Sequence, residues 1–166
     1  MAHSFYLDAS SLAKRYVPEP GSGLIYAILD TVPGDRLYVL NVGMGEIVSM
    51  VVRKRNAGVI SQAYFAQALA DFSAEIVHAT NIAKESVTSR LVTGSFPLIV
   101  AHSLNSTDAI VLKSALAIAR RLRKRGDDLV LVGSDQRLLR AAQAEGVITF
   151  NPETQDQTAL AALVGP

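Results

Sequence analysis

Four acids set the chemical possibilities of this sequence. Asp8 closes the short apolar run Ser4 to Asp8, and Asp135 follows Leu129 to Val132 by way of Gly133-Ser134. Asp108 begins a long amphipathic segment, and Glu46 is the only charged residue from Leu37 to Val52. Two ionised carboxylates about 5 Å apart repel by roughly 3 kcal/mol at an effective dielectric near 20. A domain is stable by only about 5 to 15 kcal/mol, so four converging acids call for a cation. The donors are oxygens, there is no Cys, and His3, His78 and His102 are isolated from one another. That donor set suits Mg²⁺ or Mn²⁺ rather than Zn²⁺ or Cu²⁺. The chemistry such an ion favours is phosphodiester hydrolysis, with a water oriented for in-line attack and charge neutralised on the phosphate oxygens.

Each acid also has a plain structural role open to it. Asp8, Asp108 and Asp135 lie near helix starts, where an Asp caps free N–H groups or meets the helix dipole. Glu46, with Ser49 and Arg53 at i+3 and i+7, could belong to a solvated helix face. Among the cations, Lys14 and Arg15 follow Asp8 by one or two helical turns and are the candidates for touching a phosphate. The runs Arg53-Lys54-Arg55 and Arg120 to Arg125 end helices, where cations meet the dipole and stay solvated. Gly21-Ser22-Gly23 lacks the Lys of a phosphate-binding loop. An aspartyl-phosphate mechanism would need a second acid two residues after Asp8, where Ser10 stands.

The elements that must position these residues alternate. Strands are expected at Ser4 to Asp8, Arg36 to Asn41, Glu75 to Ala79, Leu129 to Val132 and Val147 to Phe150. Helices are expected over Ala9 to Val17, Ser22 to Thr31, Met44 to Asn56, Ser61 to Ser73, Asn81 to Val92 with Asn81 as cap, Thr107 to Lys124 and Gln136 to Glu145. The apolar segment Phe96 to Leu104 has no periodicity that assigns it. Strands without polar alternation, each followed by a helix, predict a mainly parallel α/β sheet covered on both faces. All four acids then fall near its carboxyl edge, where ligands bind.

The 166 residues, 49% hydrophobic and 19% charged, predict a single domain over residues 1–166. Sixteen Lys and Arg against 15 Asp and Glu give a net charge of +1, so any polyanion-binding surface must come from local clustering. The start Met1-Ala2-His3-Ser4 lacks a basic leader region and no apolar run is long enough to span a bilayer. With no Cys, the expected location is cytoplasmic, away from membranes.

Four segments carry a resemblance. Tyr6-Leu7-Asp8-Ala9-Ser10-Ser11-Leu12-Ala13-Lys14-Arg15-Tyr16, Glu46-Ile47, Thr107-Asp108-Ala109-Ile110-Val111-Leu112 and Val132-Gly133-Ser134-Asp135-Gln136-Arg137-Leu138-Leu139 together resemble the PIN-domain nucleases, in particular VapC-type toxins of toxin-antitoxin pairs. The match runs from about residue 4 to 152, leaving 153–166 as a tail or short helix. The resemblance implies a PIN-like three-layer fold with a five-stranded parallel sheet of order 3-2-1-4-5. It implies metal-dependent endoribonuclease activity, an RNA substrate, a homodimer and a cognate antitoxin that blocks the site. Asp8, Glu46, Asp108 and Asp135 fall on the family's acidic, Mg²⁺- or Mn²⁺-binding positions, with Ser10 and Ser134 as polar supports. Gly43-Met44-Gly45 departs from the usual approach to the Glu46 helix, and Val111 stands where many relatives carry His. The alternative is a catalytically inactive PIN-like module that binds RNA or protein.

Overall fold

The computed structural model describes residues 3–165. Met1-Ala2, on which the expectation of no leader rests, and Pro166, the end of the expected domain, lie outside the described residues.

Strand β1 (His3–Leu7) is the centre of a wholly parallel sheet, pairing with β2 (Leu37–Leu40) on one side and β4 (Asp128–Val132) on the other. β3 (Ala83–Glu85) extends the β2 edge and β5 (Ile148–Phe150) the β4 edge, giving the order 3-2-1-4-5. The inner strands are apolar on both faces because helices cover both. Successive side chains alternate between two cores. Phe5, Leu7, Val39, Val130 and Val132 face α2 (Ser22–Thr31), α3 (Asn41–Asn56), α4 (Gln62–Phe72) and α8 (Gln157–Val164). Tyr6, Leu129 and Leu131 face α5 (Ser89–His102), α6 (Ser106–Arg123) and α7 (Gln136–Ala144). Helix α6 carries the second core, burying Ala109, Leu112, Ala115, Ile118, Ala119 and Leu122.

The helix expected over Ala9 to Val17 is a four-residue helix, α1 (Ala9–Leu12), tightening into a 3₁₀ turn, Ala13–Arg15. The turn buries Ala13 and Lys14, while Tyr16 at its end sets its ring edge-on to Phe72 at 5.2 Å. Helix α3 begins at Asn41, directly after β2, rather than at Met44. Gly43 explains how it fits: a Cβ there would lie 3.3 Å from Ala9 Cβ, so its bare backbone admits α1.

Three expectations fail around the β3 edge. Glu75 to Ala79 is not a strand: α4 runs on into a π-helical turn, Ser73–Val77, that buries Ile76 and turns Glu75 toward Arg15 and Tyr16. The strand lies instead at Ala83–Glu85, inside the expected Asn81 to Val92 helix. Ala-Lys-Glu has weak strand propensity, and parallel pairing to Tyr38, Val39 and Leu40 holds it as a short charged edge. Asn81 caps nothing and rests against Gly34. The cap of α5 is Thr88, whose Oγ1 accepts from Leu91 N at 3.2 Å. The unassigned Phe96 to Leu104 is largely the second half of α5, hidden from periodicity by Pro97 inside it and ended by Ser103 in the left-handed region.

Gly21 tests the packing of the chain's two ends. Its φ is +88°, and a Cβ there would lie 2.5 Å from the Pro152 carbonyl oxygen. Gly21→Ala therefore combines left-handed strain with a backbone collision. It should cost about 2–3 kcal/mol, seen as a lower urea midpoint with an unchanged m value.

Candidate active site

The sheet delivers two of the acids directly. Asp8 N donates to Val132 O at 2.9 Å, extending the β1–β4 ladder by one bond, and Gly133 N donates to Phe150 O at 3.1 Å. Asp8 and Asp135 thereby leave adjacent strand ends, each as the cap of the next helix. Asp8 Oδ2 accepts from Ser10 Oγ at 2.5 Å and Ser10 N at 3.2 Å. Asp135 Oδ1 accepts from Arg137 N at 2.7 Å and Leu138 N at 3.0 Å, leaving its second oxygen for another ligand. Asp108 hangs from the first turn of α6, where Asn105 Oδ1 accepts from Asp108 N and Asn105 Nδ2 donates to Asp108 Oδ2, both at 2.8 Å. Glu46 comes from the second turn of α3.

All four acids line one cleft of about 560 Å³, together with Ser10, Ser49, Arg53, Asn105, Ser106 and Thr107. Their charges register one another. Burial raises the Asp8 carboxyl above the usual range, the Ser10 bonds oppose that rise, and Asp135 adds to it. Asp108 is pushed up to about 6, first by burial and then by repulsion from Asp8, Asp135 and Glu46. Burial and Asp8 raise Glu46. The capping role of Asp8 and Asp135 is thus present alongside their convergence, one role not replacing the other.

The donor set is right in kind for a hard divalent cation: carboxylates that raise one another's proton affinity gain by sharing a cation. Among the described residues, no group of three or more Asp, Glu, His or Cys side chains is already arranged to hold a metal ion. An ion bridging these carboxylates would therefore need their side chains to close on it.

Two sequence expectations are corrected here. Lys14 does not reach the cleft: it is 2% exposed, and its Nζ lies 2.7 Å from Glu153 Oε1 and 3.3 Å from Glu19 Oε2. Arg15 is also engaged elsewhere, donating from Nε and Nη2 to Glu75 at 3.1 and 2.8 Å, with Asp30 at 3.5 Å and its guanidinium 5.0 Å over Tyr26. The 3₁₀ turn rotates both residues off the face that a regular helix would have continued. Ser10 is in the cleft and bonded to Asp8, whereas Ser134 is absent from its lining and its Oγ is buried with no hydrogen-bond partner among the described residues. Val111 lies beneath the cleft in a narrow hollow shared with Asp8, Glu46 and Thr107.

The residue that the sequence argument passed over is Arg53. Lys54 pairs with Glu19 at 2.6 Å, and Arg55 stacks 4.3 Å over Phe65. Arg53 alone of that run lines the acidic cleft. Its spacing of seven from Glu46 was the available signal, since i and i+7 share a helix face.

No protein-family model matches the sequence, and no curated protein matches it significantly. Solved structures do match. The protein PAE2754 from Pyrobaculum aerophilum aligns at a TM-score of 0.60 and 18% identity, over 98% of each chain. FitAcB from Neisseria gonorrhoeae aligns at 0.57 and 16% identity, over 91% of this chain and 99% of that one. VapC20 from Mycobacterium tuberculosis, described as a Sarcin-Ricin loop cleaving toxin, aligns at 0.59 and 19% identity, over 92% and 100%. The sheet order and the placement of the helices make the same point as these superpositions: the chain has the PIN fold of VapC-type proteins.

Proposed function

We propose that the chain is a Mg²⁺- or Mn²⁺-dependent endoribonuclease, the toxin half of a toxin-antitoxin pair. The observation that carries this reading is the cleft itself: four acids, two from strand ends and two from helices, share about 560 Å³, and Asp8, Glu46 and Asp108 each have their proton affinity raised by burial and by neighbouring carboxylates. The likeness to a toxin described as cleaving the Sarcin-Ricin loop supports RNA as the substrate class. In this reading the protein acts in the cytoplasm as a homodimer, and its antitoxin silences it by covering the cleft. No helix among the described residues is long and apolar enough to cross a membrane.

Asp8, Glu46, Asp108 and Asp135 would hold the ion, which supplies charge neutralisation at the scissile phosphate and an activated water. The chain's own side chains do the positioning. Ser10 fixes one oxygen of Asp8 and Asn105 one oxygen of Asp108, so each carboxylate presents its other face to the cleft. Arg53, on the cleft wall, can take a nonbridging phosphate oxygen as the substrate enters an otherwise acidic site. Asp108, pushed up to about 6 by burial and its acidic neighbours, would have to be deprotonated to hold the ion, so binding would weaken as pH falls toward that value.

The test is purified protein incubated with mixed cellular RNA. Cleavage is expected with Mn²⁺ or Mg²⁺ and none with EDTA, and re-addition of the ion should restore it. Cutting that continues in EDTA, or that survives Asp135→Asn, would remove the acidic cleft from the chemistry.

A further inference from the structure

We propose that the groove between α5 and α6 binds the phosphate backbone of RNA beyond the cleft, so that the substrate lies along α6 rather than touching the protein only at the cut. The inference rests on the endoribonuclease reading for the identity of the polyanion, and on separate residues for the site.

The groove encloses about 590 Å³ between Gly94, Pro97 and Leu98 on α5 and Lys113, Leu116, Ala117, Arg120, Arg123 and Lys124 on and just beyond α6, with Glu145 at its rim. Its charge is unbalanced. Glu145, the one acid, pairs with His102 at 2.8 Å, and Arg123 pairs with Asp128 at 3.0 Å and donates to Gly146 O at 2.6 Å. Lys113, Arg120 and Lys124 have no ion pair or side-chain hydrogen bond among the described residues. In a chain whose net charge is +1, three free cations lining one groove are a concentrated positive patch. Elsewhere Lys14, Arg15, Lys54 and Arg121 face acids, and Arg36 and Lys84 donate to backbone carbonyls.

Two features make this a built surface rather than a solvated helix end. Lys113 is half-buried because Gly94 leaves it room, a Cβ at that position lying 3.1 Å from Lys113 Cε. The cations also form a line that begins at the active cleft. Ser106 lines the cleft, and Lys113 and Arg120 follow it at i+7 and i+14 on the same helix face, with Lys124 one turn further. At 1.5 Å per residue that line runs about 10 Å from Ser106 to Lys113 and about 21 Å to Arg120. A strand whose scissile phosphate sits among the four acids can continue along it, its charge meeting cations spaced down the helix.

The experiment measures binding of fluorescein-labelled single-stranded RNA in EDTA, by anisotropy across a salt series. One RNA is only a few nucleotides long and the other is long enough to span the groove. Wild type should favour the longer RNA. In the triple variant Lys113→Gln/Arg120→Gln/Lys124→Gln that advantage should shrink at least about tenfold at low salt. The slope of log K against log salt for the longer RNA should flatten by about 0.7 per lost phosphate contact, about 2 in all. Arg120→Gln and Lys124→Gln alone, at exposed positions, should each flatten it by about 0.7, which keeps the test intact if the triple variant folds poorly. An unchanged slope, an equal loss on both RNAs, or an altered sedimentation coefficient with RNA affinity intact would overturn the groove. Groove-dependent binding by a protein that cleaves nothing with any divalent ion would uphold the groove and sink the nuclease reading.

Discussion

Asp8→Asn should slow RNA cleavage by orders of magnitude while making the ion-free protein more stable. The first effect follows from charge. Charge stabilisation by an ion held as proposed would be worth several kcal/mol in the transition state, so losing the most buried of the four cleft carboxylates should reduce the rate about 10²-fold to 10⁴-fold. The fold should tolerate the change, because Asn keeps an oxygen to accept from Ser10 N and is itself a good cap. The second effect follows from the raised carboxyls. Burial lifts Asp8, and Asp8 in turn lifts Asp108 and Glu46. A carboxyl raised in the folded state binds its proton more tightly there than when unfolded, so stability falls as pH rises through the window between the two values. For Asp108 that window runs from 3.8 to about 6. At pH 7 to 8 the wild-type cleft therefore carries repulsion that the variant lacks. Asp108 is half-exposed and solvent screens much of it, so the gain should be about 1 kcal/mol, or 2–4 °C in Tm. The gain should vanish near pH 4, and Mg²⁺ should raise the wild-type Tm more at pH 7.5 than at pH 5. Calorimetry and a cleavage assay on the same preparation decide both parts. Loss of cleavage with no stability gain would place Asp8 in the chemistry but not in a repelling cluster, cleavage unchanged in the variant would remove Asp8 from the chemistry, and a wild-type protein that binds RNA and cuts none would favour a non-catalytic module.

The parts of this reading that were legible in the sequence are those where one strong local signal coincides with the topology. The apolar strands Phe5-Tyr6-Leu7 and Leu129 to Val132, each ending in an Asp within three residues, placed two acids on the carboxyl edge before any packing was known. Helix α6 was equally plain, because its buried stripe and its Gly126 stop agree. The illegible parts are those set by tertiary pairing. Ala83-Lys84-Glu85 becomes a strand only because β2 offers an open edge, and Ile76 is buried by a π-helical turn that no two-residue or 3.6-residue period describes. Helix α5 was masked by Pro97, which local reasoning reads as a break. The cations were the hardest to read. Sequence distance from Asp8 favoured Lys14 and Arg15, whereas the structure uses both internally, and leaves Arg53, Lys113, Arg120 and Lys124 to face solvent-filled clefts. A charge's availability depends on where its partners lie in space, and Glu19, Glu75 and Glu153 are distributed along the whole chain.

That distinction makes Lys14 the residue whose removal should damage the fold most without touching the RNA. Its Nζ joins Glu19, before α2, to Glu153, in the turn after β5, while Lys54 of α3 closes on the other oxygen of Glu19 at 2.6 Å. Three segments separated by up to 139 positions are tied at one ammonium group that is almost wholly buried. Truncation to Ala removes the stem packed under the 3₁₀ turn and leaves Glu153 without its cation. Breaking a fully buried pair costs about 3–5 kcal/mol. Here Glu19 retains Lys54 and both acids are partly exposed, at 30% and 40%, so Lys14→Ala should cost less, about 2–4 kcal/mol with the packing loss included. In a domain of this size that is a fall in Tm of roughly 5–15 °C. Lys14→Met, which restores the stem but not the charge, should recover part of it. RNA affinity measured well below the melting range should match wild type in both variants, since no part of Lys14 lines the acidic cleft or the α5–α6 groove. A variant that kept its Tm and lost RNA affinity would return Lys14 to the binding surface and refute the buried-tie assignment.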